Sequence, residues 1–178
     1  MRIPLIVLTL GLAFVFASRT SSLTESKVAA SSLDQGTQGH TSQTACRTRD
    51  HLSSDDFTGV MQTIQSGWSE GNARKSADCF AEDALYSSPP SRGHQGREDL
   101  YQHFGGAKGL PVPMKIEWHH LVFDPTRQLG MGEFTFQYHL QTYGVVVVQF
   151  SHGLISNWRE YDVPSDLIWS RFVGPNDF

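Results

Sequence analysis

Charge is scarce in this 178-residue chain: Asp, Glu, Lys and Arg make up 18 % of it, 14 basic against 18 acidic, for a formal net charge of -4. Nowhere do five or six like charges run together. That absence argues against a nucleic-acid partner and against an acidic tail. Cysteine is also sparse. Cys46 and Cys79 are the two, and neither has a second Cys or a His at ligand spacing, so a zinc site has little support. No apolar run reaches the roughly twenty residues that a membrane helix needs. A phosphate-cradling loop, a Gly-x-Ser-x-Gly elbow, a His-Glu-x-x-His pair and internal repeats are all missing. With 39 % apolar residues, 16 Gly and 8 Pro, the composition excludes collagen-like, wholly disordered and multi-span classes. The length suits one domain with a real core.

What is present begins with an address. Arg2, the apolar stretch Ile3 to Phe16 and a small residue at Ala17 read as a signal peptide over residues 1–17, cleaved near Ala17. The expected location is therefore secreted or periplasmic, with no membrane attachment after cleavage; the alternative is an uncleaved N-terminal anchor. Residues 18–50 are rich in Ser and Thr and poor in large apolar side chains, the composition of a disordered linker. A partner-binding tail is the competing reading. The domain proper is expected over 51–178. In an oxidising compartment Cys46 and Cys79 can pair; otherwise Cys79 is a buried thiol and Cys46 a mobile one.

Phe57, Val60, Met61, Ile64 and Trp68 form one helical stripe, with Ser53 or Ser54 as cap and Gly71-Asn72 as stop. Gly67 looks like a weak point within it. A short second helix is expected from Ala73 to Phe80, a brief extended piece over Ala84 to Ser87, and a third helix opening at Gly96-Arg97. The period then switches to two. Ile116, Trp118, His120 and Val122 alternate with Lys115, Glu117, His119 and Leu121. Leu129 to Thr142 reads as one long strand, followed by strands at Val145 to Phe150 and Leu154 to Tyr161 around a Ser151-His152-Gly153 turn. Helices followed by hairpin-linked strands mean an α+β fold, helices on one sheet face.

Several of these segments together resemble a known family. Phe57 to Trp68, Asn72-Ala73, Phe80-Ala81-Glu82-Asp83-Ala84-Leu85-Tyr86, Gly93-His94-Gln95-Gly96-Arg97-Glu98 and His152-Gly153-Leu154-Ile155 through Asp162 look like the SnoaL-like branch of the nuclear transport factor 2-like (NTF2-like) superfamily. The resemblance covers about Leu52 to Phe172. It implies an α+β cone, three N-terminal helices packed on a strongly curved, mixed and largely antiparallel sheet around a mostly apolar pocket. It also implies a possible homodimer through the outer sheet face. Because such cones serve isomerases, cyclases, dehydratases, hydrolases and non-catalytic proteins alike, the fold leaves the function open.

Cofactor-free proton transfer needs a base in a dry cavity and a donor where negative charge develops. Asp162 is the first candidate for the base, with a turn-capping role as its alternative. His120, on the expected Trp118 side of its strand, and Tyr86 complete a candidate catalytic set; packing roles compete for both. Trp68, Trp118 and Trp158 are expected as pocket wall, and Glu160 as a ligand-binding group or a surface partner of Arg159. Glu133, Gln137 and His139 share the face opposite Phe134, Phe136 and Tyr138, and the apolar set is the one expected to meet the helices. His119 and His120, on opposite strand faces, would not share a metal. The expected partner is a small, largely apolar molecule, bound without cofactor or metal; catalysis by the Asp162, His120 and Tyr86 set is the alternative.

Overall fold

A computed structural model describes residues 46, 49–89 and 93–176. The signal peptide expected over 1–17 and most of the linker expected over 18–50 lie outside the described residues, as do residues 90–92 and 177–178 of the domain.

Helix α1 (Ser54–Ser69) forms where the stripe predicts it and buries Phe57, Val60, Met61, Ile64 and Trp68. A reciprocal capping box starts it: the Asp56 amide donates to the Ser53 hydroxyl, and the Ser53 amide donates to the Asp56 carboxylate at 3.1 Å. Gly67 is a contact point rather than a weakness. A Cβ there would lie 2.2 Å from Ser76 Oγ, so glycine lets α2 (Ala73–Ala77) press against α1.

Helix α2 is shorter than expected because the chain turns extended at Phe80. Strand β1 (Phe80–Ser87) therefore begins four residues before the expected Ala84 and buries Phe80, Ala84 and Tyr86 on one face. Cys79, just before it, is fully buried and disulfide-bonded to Cys46, with Cα atoms 4.8 Å apart. Arg49 donates its amide to the His152 carbonyl and pairs with Asp56. The chain is thus fastened to the domain at residues 46 and 49, inside the span expected as linker.

After the two-residue strand β2 (His94–Gln95), helix α3 (Arg97–His103) sets Leu100 into the core. Four strands follow: β3 (Lys115–Asp124), β4 (Leu129–Tyr138), β5 (Leu140–Ser151) and β6 (Leu154–Pro164). The single strand expected over Leu129 to Thr142 is a hairpin. The chain reverses at His139, whose φ is 63°, so that Tyr138 pairs with Leu140. No Gly or Asn marks this turn, and the alternation on either side runs through it undisturbed. The turn at His152-Gly153 does form as expected, with φ of 49° and 75°.

The sheet order is β2-β1-β6-β5-β4-β3, with β1 and β6 parallel and the other pairs antiparallel. This is the expected α+β arrangement, with α1, α2 and α3 on one face of an open, mixed six-stranded sheet. Gly144 on β5 serves that face: a Cβ there would lie 2.5 Å from Phe134 and 2.8 Å from the Asp162 side chain. A fourth helix that the sequence reading did not anticipate, α4 (Trp169–Val173), packs against Tyr143 and His119. No helix among the described residues is long and apolar enough to cross a membrane.

Candidate functional site

Period two along β1 and β6 carries Tyr86, Trp158, Glu160 and Asp162 to the helix-covered face of the sheet. β1 and β6 run parallel there, with Tyr86 beside Trp158 in register. The two rings stack at 5.8 Å, inclined by 6°. From that stack the Tyr86 hydroxyl donates to Glu160 Oε1 at 2.9 Å, and the Trp158 indole donates to Oε2 at 2.8 Å. Ser88 adds a third side-chain hydrogen bond. Burial pushes the Glu160 carboxyl above its usual range, while these donors pull it back. Tyr86 is pushed well above the ordinary tyrosine range, first by burial and then by the Glu160 charge. Among the described residues no hydrogen bond or ion pair engages the Asp162 side chain.

Tyr86, Ser88, Glu160 and Asp162 border a cavity of about 430 Å³. Trp68, Phe104, Phe134, Phe136 and Tyr138 form much of its wall, with Leu110, Met114 and Ile116. Among the described residues the buried Trp68 Nε1 finds no acceptor. His94 and His103 stand at the rim, their rings stacked at 3.9 Å, and His94 Nδ1 lies 3.0 Å from Asp99 Oδ2. His103 is exposed as a residue, yet its ring packs against Tyr86 and Phe104. Burial, then the neighbouring His94, push the His103 imidazole down to about 4.

His120 lies elsewhere. A β-bulge between Trp118 and His120 shifts the register of β3 against β4, so the inward set becomes Ile116, Trp118, Leu121 and Phe123. His120 pairs with Glu133 at 2.8 Å, and His119, the extra residue, contacts Thr135 at 2.7 Å and stacks on Trp169. Both histidines thus occupy the outer face, correcting the expectation that His120 faces inward beside Trp118 and that the two point apart. No group of three or more His, Cys, Asp or Glu among the described residues is arranged to hold a metal ion.

Phe134, Phe136 and Tyr138 line the cavity, opposite Glu133 and Gln137. The fold recurs in solved structures. The chain matches an NTF2-like protein of unknown function from Burkholderia xenovorans LB400 at TM-score 0.52 and 18 % identity, over 66 % of this chain and 91 % of that one. A protein with a cystatin-like fold from Methylobium petroleophilum PM1 matches at 0.56 and 20 %, over 67 % and 82 %. An LEH-like epoxide hydrolase from M. tuberculosis matches at 0.51 and 15 %, over 58 % and 80 %. The chain has the NTF2-like fold. No protein-family model and no curated protein matches it.

Within this NTF2-like fold, three of the anticipated site residues, Tyr86, Glu160 and Asp162, converge on one cavity, and Trp68 lines it. Trp158 stands directly behind Tyr86, while the half-buried Trp118 lies outside the lining, donating its indole N–H to the Met61 carbonyl at 3.1 Å. His94, His103 and Ser88 were missed. His94 sits in a segment singled out for its resemblance alone, and its pairing with Tyr86 across β1 and β2 is non-local, as is the approach of His103 from α3.

Proposed function

We propose that this NTF2-like domain binds a small molecule with a largely apolar body in its cavity, the polar end of the ligand meeting Tyr86, Glu160 and Asp162. The observation that carries this reading is the fixed Tyr86–Glu160–Trp158 arrangement at one end of an aromatic-walled cavity. Few convergent polar groups in an apolar concavity are the usual anatomy of a ligand site. A screen of small apolar molecules by thermal shift tests it; binding raises the melting temperature by mass action. No stabilisation by any of them would overturn the reading.

Cofactor-independent acid–base catalysis is the second reading, favoured by Asp162, a carboxylate at the cavity with no donor among the described residues. It is weaker for a physical reason. A developing oxyanion needs a donor, and Tyr86, Trp158 and Ser88 already direct theirs to Glu160. An enzyme would show turnover abolished by Asp162→Asn.

We propose further that the protein is exported, a reading that the Cys46–Cys79 disulfide supports, since such bonds persist in oxidising compartments. A homodimer through the outer sheet face completes the proposal. Val122, Met131, Tyr161 and Val163, each about half exposed or more, support it. Light scattering showing a monomer at high concentration would remove that part.

A further inference from the structure

The charge pattern of the cavity narrows its ligand, provided the cavity is a ligand site as proposed above. Two carboxylates, Glu160 and Asp162, border it, and no Lys or Arg does among the described lining residues. Glu160 is satisfied by three donors, whereas among the described residues Asp162 has none. The rim imidazole of His103 is held neutral near pH 7 by burial and so brings no compensating charge. An anionic ligand would meet two like charges in a partly dry space, and a neutral one would leave the Asp162 carboxylate without a counter-charge. A cation answers both. The wall suits it as well, because Trp68, Tyr86, Phe104, Phe134, Phe136 and Tyr138 offer the aromatic surface that attracts ammonium groups.

We infer that the ligand is a small organic cation, a tertiary or quaternary ammonium with an apolar body, its charged head lying between Asp162 and Glu160 among these rings. A quaternary head carries no N–H and needs no hydrogen-bond acceptor, and a tertiary one can donate its single N–H to the Asp162 carboxylate.

Phenyltrimethylammonium and tert-butylbenzene have the same shape and differ in charge, so together they isolate this inference. Each is titrated by NMR into the full chain and into its Asp162→Asn and Glu160→Gln variants. Asparagine at 162 removes charge from a side chain that holds no protein partner, so it tests the claim even where glutamine at 160 disturbs the fold. The expected result is that the cation binds about tenfold tighter or more, and that Asp162→Asn removes most of that preference. Equal affinity, or a preference for the neutral probe, would overturn the cationic assignment while leaving the cavity a ligand site. Retention of the preference in Asp162→Asn would overturn it too. Binding of neither probe would contradict the cavity reading itself, and the inference with it.

Discussion

The two faces of the sheet carry the same kinds of side chain and put them to different use. On the inner face Tyr86 and Glu160 sit under helices, where burial raises their proton affinities and a hydrogen bond between them fixes geometry. On the outer face His120 and Glu133 also touch, at 2.8 Å, but both keep about 30 % of their side-chain surface exposed. Water and counter-ions screen that pair, so it contributes little. Residue type therefore says less about chemistry than the face on which strand parity and one bulge place it.

Stability separates the faces most sharply. Trp158→Ala, which empties space behind Tyr86, is expected to cost about 3–5 kcal/mol in urea unfolding. Met131→Ala, on the outer face and 48 % exposed, should fall within about 0.5 kcal/mol of the parent in dilute protein, where the proposed dimer is dissociated. Equal losses would erase the distinction. Next comes the tie to the fully buried Cys79. Replacing Cys46 and Cys79 together by serine frees a closed loop spanning 33 residues in sequence, with an expected loss of about 3–4 kcal/mol, measurable as a lower denaturation midpoint.

Hydrogen-bonded partners give a smaller contrast. Tyr86→Phe strips one donor from a buried carboxylate and should cost about 1–3 kcal/mol. His120→Ala, breaking the outer pair, should cost under about 1 kcal/mol. If thermal unfolding ranks them the other way, the inner network is not the more tightly coupled of the two.

The smallest effect is a pH dependence at the rim. His103 binds its proton near pH 4 in the folded chain against a usual value of 6.5. Between those values the unfolded chain holds more protons, so this group makes stability fall as pH drops from 6.5 towards 4. Glu160 acts with the opposite sign: its raised affinity favours the folded state at low pH, an advantage lost as pH rises above the usual carboxyl value of 4.5. His94, Asp99 and Tyr86 face His103 and are unchanged in His103→Gln. That variant should therefore gain melting temperature relative to the parent as pH is lowered from 7 to 4.5. A difference independent of pH would count against the buried imidazole.

Much of this was readable in the chain. The α1 stripe, the terminal hairpin and the inward set Phe134, Phe136 and Tyr138 follow from local periodicity. Asp162 stands out by its match to the acidic residue that closes the last strand of the resembling family and by its parity with Trp158 and Glu160, and Tyr86 by the extended segment of that same resemblance. What escaped was non-local or locally silent. The bulge at His119 leaves the apparent alternation from Ile116 to Val122 intact, and only the pairing with β4 reveals the skipped residue. The reversal at His139 lacks the usual turn residues, and α4 is held by its contacts with Tyr143 and His119 rather than by a strong periodic stripe of its own. His103 belongs to the rim because of where α3 docks, which no spacing within α3 encodes.

The most direct test follows two indole N–H signals, those of Trp68 in the cavity wall and Trp169 on the outer face, during titration with either of the isosteric probes. Saturable movement of the Trp68 resonance with Trp169 unmoved is the predicted outcome. Movement confined to Trp169, or of neither indole with either probe, would contradict a ligand pocket beneath the helices.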